Sequence, residues 1–310
     1  MDPLSDILSL LRPDNYLSAG FDIAAPWAIQ FPDQGQNIKT AAVVEGDCWI
    51  SVDGVPDPVH LQTGDCVLLP HGKAFLMGSD LDVPPMLAGT TFKPSGYGVI
   101  RTLNGGGDCV VASSRFGLHG PQADLLLAML PPLVVIRNRD ESEALRHCIE
   151  RTMTEMRKTD PGSKLVLQHL AHMMLIQVLR MYMNDDAKGV GWFFALADPQ
   201  ISKAISAIHA DPAHNWTVES LAKCSGMSRS AFAAKFKERV GESPMGYLTR
   251  WRMMLAGERL TSSREPISQI SLSLGYESES AFSTAFKRVM GCPPRSYCKE
   301  GLPRSDVKMT

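Results

Sequence analysis

Apolar residues recur at helical spacing through the last third of the chain, and at short, strand-like spacing before it. From Ser228 the pattern predicts a helix that buries Phe232, Phe236 and Val240 at i, i+4 and i+8 and stops at Gly241, with Pro244 just beyond. Fifty residues later it returns: Phe282 stands for Phe232, Phe286 for Phe236, Lys287 for Lys237, Gly291 for Gly241, Pro294 for Pro244 and Tyr297 for Tyr247. A shorter helix precedes each long one. The first, "TVESLAKCS", has Thr217 as cap and Gly226 as stop, with Trp216 placed to staple onto Leu221. The second, "ISQISLSL", opens at Pro266 and ends at Gly275, and Ser278 caps the helix that follows. Gly226 falls six residues before its Phe and Gly275 seven, so the second turn is one residue longer. A unit present only twice is a duplication rather than a solenoid.

Short helix, glycine turn and longer helix make the helix-turn-helix pattern. Between the copies, "SPMGYLTRWRMMLAGERLTSS" predicts a connecting helix from Pro244 to about Leu260, roughly 25 Å long. A rod of that length suits two recognition helices set about one turn of B-DNA apart, ~34 Å.

Upstream, Ile38 to Val111 is broken into "TAAVVEG", "CWISVDG", "CVLLP" and "CVVASSRF", separated by turn residues. Many short strands at close spacing predict a small barrel or sandwich. The texture changes at about Gly120. Two helices follow, from about Glu141 to Lys158 and from Ser163 to Met183, joined by "TDPGS". The second, "KLVLQHLAHMMLIQVLRMYM", is apolar around most of its circumference and requires burial on several sides. A second copy of the chain would supply it, as in a homodimer, and so would the barrel and the hairpin partner. His169 and His172 are read as polar edge positions of this helix rather than metal ligands. "MNDDAKGVGW", from Met183 to Trp192, is the expected linker. The opening "MDPLSDILSLLRPDNYLSAG" has helix-like apolar spacing, without the basic start and solid apolar block of a secretory signal.

Charge sharpens this division. The chain carries a net −2, yet from Asp198 onward 16 Lys and Arg face 11 Asp and Glu, a net of +5 that leaves −7 for the rest. The basic part is the part with the repeat, which points to nucleic acid as its partner. A hydrophobic share of 44% with 21% charged residues fits a soluble globular protein, and no run approaches the ~20 apolar residues of a membrane span. A cytoplasmic protein with no membrane partner is expected. Seven scattered cysteines, an odd number with no C-x-x-C pair, fit neither a disulfide framework nor a zinc site.

The stretches "GMSRSAFAAKFKERVGESPMGYL", "RWRM" and "GYESESAFSTAFKRVMGCPPRSY" resemble the DNA-binding domain of the AraC-type transcription regulators, over about Pro199 to Lys299. That resemblance implies sequence-specific binding to double-stranded DNA through the second helix of each unit. Stepping 100° per residue from Phe232 places Ser230, Ala233, Ala234 and Lys237 on the outward face. The second unit places Ser280, Ser283, Thr284 and Lys287 there. The resemblance gives these positions the contact with DNA. Lys237 and Lys287 suit phosphates, and Arg229 suits either phosphate or base. Ser230, Ser280, Ser283 and Thr284 can hydrogen-bond base edges, whereas Ala233 and Ala234 offer a thymine methyl only apolar contact. Glu279, at a helix N-terminus, favours the helix dipole or accepts from cytosine. Arg252 matches a frequent Arg of the family, explained equally by a phosphate contact or by a salt bridge to a helix acid.

"TGDCVLLPHG" spaces Gly64, Pro70 and Gly72 as in the second motif of the cupin barrel, and one branch of the AraC-type regulators carries such a domain. The whole chain resembles that branch, which implies a barrel that senses a small-molecule effector and a dimer that presents four helix-turn-helix units. Enzymatic cupins place a histidine ligand where Phe75 stands, and His60 and His71 lack paired ligands in sequence, so neither a metal nor another cofactor is expected. The expected fold is multidomain, α and β. A cupin-like β-barrel spans 1–120, a helical dimerisation hairpin with linker 121–190, and an all-α domain of two helix-turn-helix units 198–300. Two other functions stay open at this point: a metal-dependent cupin enzyme with a DNA-binding tail, and a redox-sensing regulator using Cys48, Cys66 or Cys109.

Overall fold

The computed structural model describes residues 2–11, 14–35, 37–92, 98–117, 127, 130–137, 143–158, 160–184 and 189–300. Packing divides the chain into two compact units, residues 12–119 with 123–187, and residues 1–11 with 120–122 and 188–310. The division differs from the sequence-based one in two respects. The hairpin helices join the barrel in one unit, and residues 1–11 pack with the helical unit instead of opening the barrel. Gly120, Glu141 and the central residues 185–188 of the expected linker lie outside the described residues.

The barrel unit has two sheets. The larger orders its strands β11 (Val134–Ile136), β6 (Cys66–Leu69), β3 (Asn37–Glu45), β10 (Cys109–Gly117), β1 (Asp14–Ile23) and β9 (Val99–Leu103). The smaller orders them β5 (Val59–Gln62), β4 (Asp47–Val52), β7 (Phe75–Gly78), β2 (Ala28–Phe31) and β8 (Met86–Leu87), the last followed by the short α2 (Ala88–Thr91). Alternate residues face inward, as a two-residue period requires. Ala41 and Val43, Val67 and Leu69, and Cys109 and Val111 meet Ile29, Phe31, Cys48, Ile50, Phe75 and Met77 in one core. The "TGDCVLLPHG" segment folds as its spacing predicts: β6 enters through a turn in which Gln62 N–H donates to Asp65 (3.0 Å), a carboxylate also held by Arg137 at 2.7 Å.

The opposite face of the larger sheet is covered by α3 (Glu143–Arg157) and α4 (Ser163–Asn184), whose Met153, Met156 and Leu167 pack on Val110 and Ala112. The turn between them is tied by the Ser163 hydroxyl, which donates to the Glu155 carboxylate at 2.7 Å. Much of α4 is therefore buried within its own chain, at Leu167, Ala171, Met174, Leu175, Val178 and Leu179. A stripe carrying Leu165, Val166 and Met173 stays exposed.

The helical unit begins with α1 (Pro3–Leu11), whose buried Leu4, Ile7 and Leu8 serve its packing with α6 (Pro199–Ala210). His209 of α6 is buried between them. Its Nδ1 faces Asp6 Oδ2 at 3.2 Å, its Nε2 faces the Tyr247 hydroxyl at 2.8 Å, and its ring stacks on Trp251 with centroids 3.8 Å apart. Burial pushes the imidazole pKa down to about 3, so it is neutral, with Nδ1–H donating to Asp6 and Nε2 accepting from Tyr247. The remaining helices are α7 (Val218–Cys224), α8 (Arg229–Val240), α9 (Pro244–Ser262), α10 (Ile267–Ser273), α11 (Glu279–Met290) and α12 (Pro294–Glu300), after the short α5 (Trp192–Ala195).

Candidate nucleic-acid interface

The second helix of each unit starts from the serine that the sequence marks as a cap. Ser228 Oγ accepts from Ala231 N–H at 3.4 Å and Ser278 Oγ from Ala281 N–H at 3.2 Å, and the helices end at Gly241 and Gly291. One face of each goes into the core. Phe232, Phe236, Phe282 and Phe286 are all fully buried, and Tyr247 and Tyr297 close edge-on against Phe236 and Phe286. The burial of Phe232 and Phe236 fixes which residues are left outside. Arg229, Ser230, Ala234 and Lys237 are exposed and Ala233 is half-buried, while in the second unit Glu279, Ser280, Thr284 and Lys287 are exposed and Ser283 is half-buried. Exposure thus repeats position by position from Ser228 to Lys237 and from Ser278 to Lys287.

The first short helix is capped as its sequence predicts. Thr217 Oγ1 accepts from Ser220 N–H at 3.1 Å and Ser220 Oγ from Thr217 N–H at 2.9 Å, a reciprocal capping box. Trp216, read from the sequence as a staple onto Leu221, donates its indole N–H to the Asp211 carbonyl at 2.8 Å and sets its ring against His214. In the second unit the helix opens at Pro266 with no side-chain cap. Arg259 of α9 holds it instead, pairing with Glu265 and reaching Ser273 Oγ at 2.5 Å.

Arg252 adopts an arrangement the sequence does not suggest. Its guanidinium donates to the backbone carbonyls of Pro212 (2.6 Å) and His214 (2.9 Å), with Ala213 at 3.4 Å, and lies over the Tyr276 ring at 5.5 Å. It joins the loop ahead of the first unit to the turn of the second, where a Cβ on Gly275 would overlap the Ala213 carbonyl oxygen. Arg250, on the same helix, pairs with Glu242. Lys235, a position without prominence in the sequence, tethers α8 to the start of α6 through Asp198 at 2.8 Å and Gln200 at 2.8 Å. Burial alone would raise the Asp198 carboxyl, but Lys235 and the N–H groups of Ile201 and Gln200 more than offset it and hold it below the usual range.

The hydroxyl of Thr284 donates to the Ser280 carbonyl at 3.0 Å. With its proton used, Oγ1 is presented outward as an acceptor only. Glu279 lies 3.9 Å from Arg295, both well exposed, so the pair is weak.

In the barrel unit His60 and His71 have partners other than a metal. His60 faces Asp47 at 2.7 Å and packs on Trp49, His71 Nε2 bonds the Leu130 carbonyl at 2.8 Å, and Phe75 lies in the core stacked on Phe31. His172 packs on Tyr16, and burial, then the neighbouring His169, keeps its pKa low. Among the described residues no three His, Cys, Asp or Glu side chains are grouped to hold a metal ion, and no helix is long and apolar enough to cross a membrane. Cys48, Cys66 and Cys109 are all buried. A hydrogen bond with Cys109, added to burial, pushes the Cys48 thiol far up, and burial raises Cys66 to about 12, so neither offers a thiolate near neutral pH.

The cupin family matches residues 2–184, and a helix-turn-helix domain family matches 221–300. An AraC-like transcription regulator of Streptomyces antibioticus is 40% identical over 98% of this chain and 100% of its own length. The HTH-type transcriptional regulator AlkR of Acinetobacter baylyi is 35% identical over 96% and 99%. Among solved structures, the DNA-binding domain of AdpA in complex with a target DNA is 25% identical and covers 33% of this chain and 92% of that one, with a TM-score of 0.32. With both regions matched and full-length relatives at this identity, the chain belongs to the AraC-type transcription regulators that carry an N-terminal cupin domain.

Proposed function

We propose that this regulator binds its operator by laying α8 and α11 into successive major grooves, with Arg229, Ser230, Ala233, Ala234 and Lys237 of the first and Glu279, Ser280, Ser283, Thr284 and Lys287 of the second facing DNA. The observation that carries this is the repeated exposure of the two helices, which leaves equivalent faces free of the core. The connecting α9, 19 residues long, is a rod of about 28 Å. Arg252 acts here as a brace, setting the relation of the two units instead of touching a phosphate. Lys237 and Lys287 supply charge without sequence preference, so Lys237→Ala with Lys287→Ala lowers affinity for every DNA sequence and flattens the slope of log K against log salt by about 1.8. Fluorescence anisotropy across a salt series measures both, and an unchanged slope would remove these helices from the DNA face.

The cupin domain, on this reading, senses a small-molecule effector, and two protomers pair through the α4 stripe of Leu165, Val166 and Met173. Leu165→Glu with Met173→Glu is expected to turn a dimer into a monomer in sedimentation velocity. A double variant that still sediments as a dimer would place the interface elsewhere.

A further inference from the structure

Residues 189–198 belong to neither matched family, and their first part, up to Trp192, reads in the sequence as linker. From Gly189 onward, however, the chain is part of the helical unit. Trp192, Phe193 and Ala195 of α5 are buried, and α5 packs on α8. Gly189 lies so close to the Phe194 ring that a Cβ there would overlap it. Gly191, at φ +148 and ψ +160, turns the chain in a conformation that other residues adopt only with strain, and its N–H donates to the Arg239 carbonyl at 2.9 Å. That carbonyl stands in the last turn of α8, where the helix has no N–H of its own to offer. Beyond α5, Lys235, one turn before Arg239, donates to Asp198 Oδ2 and to Gln200 Oε1, each at 2.8 Å.

Two points one helical turn apart therefore hold α8 from one flank. Lys235 stands roughly 150° round the helix from the middle of the outward face, so the hold leaves Ser230, Ala234 and Lys237 clear. In the second unit Ala285 and Val289 occupy the two positions, and an alanine has no charge to give an acid. Resting on the reading of α8 as a DNA-facing helix, we infer that residues 189–198 are a positioning clamp for α8 alone, with Phe193 and Lys235 as its positioning residues. Hydrogen bonds to base edges weaken steeply with angle, whereas a charge near a phosphate tolerates displacement. A helix that rocks at its C-terminal end thus loses discrimination before it loses its hold on the backbone. The clamp gives the base pairs under α8 their share of the specificity, and its release blurs those while sparing the pairs under α11.

The test uses the full chain and selection from a randomised operator, read position by position. Arg229→Ala with Ser230→Ala first marks the base pairs under α8, and Thr284→Ala those under α11. Phe193→Ala and Lys235→Met are then expected to lose roughly threefold or more of the preference at the α8 pairs and to leave the α11 pairs unchanged, with Lys235→Arg restoring it. A merely structural role would lower the fraction of active protein and leave every preference as it was. Preferences intact at the α8 pairs, or lost equally under α8 and α11, overturn the clamp while the DNA face stands. Should the paired Arg229 and Ser230 changes shift no base pair, the reading of α8 fails and the clamp falls with it. If Phe193→Ala does not fold, Lys235→Met, which leaves the core untouched, decides by the same measure.

Discussion

The two helix-turn-helix units are one design held in place in two ways. The first carries its own restraints: a capping box on α7 and the Lys235 tether to Asp198. The second has no cap on α10 and alanine at 285, where the first has Lys235, and it depends on the connector through Arg259 and Arg252. The outward faces differ in the opposite sense, since the first presents Ala233 and Ala234 and the second Ser283 and Thr284. The better-braced helix thus has the less polar surface. The first unit is suited to methyl contacts and to DNA shape, and the second to polar reading of base edges.

The largest effect tests whether the two cores weigh the same. Phe232→Ala and Phe282→Ala each remove a fully buried ring and are expected to destabilise by about 3–5 kcal/mol in denaturant unfolding. Losses differing by more than half would show that the units are not equivalent inside. The turn glycines separate the units next. Gly226 has φ +65 and open space where a side-chain methyl would stand, so Gly226→Ala costs only the left-handed conformation, about 1–2 kcal/mol. Gly275 has φ +77 and also faces the Ala213 carbonyl, so overpacking adds about 1–3 kcal/mol to the same conformational cost. Equal melting shifts for the two alanine variants would deny that the second turn is clamped against the loop ahead of the first. The smallest effect lies on the proposed DNA face. Thr284→Ala removes a single hydrogen bond and should cost about 0.5–1.5 kcal/mol at one base pair, relaxing preference for adenine or cytosine, the bases that offer an amino donor. Selection from a randomised operator would show it, and unaltered preference at every position would take base reading away from Thr284.

The helical unit is legible in the sequence because its signals are local. Caps, glycine stops and the i, i+4 phenylalanines lie within a few residues of what they control. The connector, read as ending near Leu260, runs to Ser262. Gly291, read as the stop of the second long helix, is its C-cap, and Pro294 opens a further helix, α12, because proline is favoured at a first helical position. The strand Asp14–Ile23 is hidden by its polar residues: Ser18 looks like a surface position, but its hydroxyl meets that of Ser114 in the interior at 2.9 Å. Arg252 shows the limit most clearly. Position on a helix suggests a phosphate or an acid as partner, and only the folded chain brings three backbone carbonyls, some forty residues earlier, within its reach.

The docking of Pro3–Leu11 on α6 makes the barrel an insert within the helical unit, entered after residue 11 and left before residue 188. During synthesis the first helix leaves the ribosome long before its partner, since Asp6 and His209 are 203 residues apart. Leu4, Ile7 and Leu8 therefore stay without that partner while the residues of the barrel are synthesised. A fragment cut at Lys188 to isolate the DNA-binding part carries the converse defect, an α6 without the helix that packs on it. Excising the DNA-binding part whole means keeping both ends of the chain.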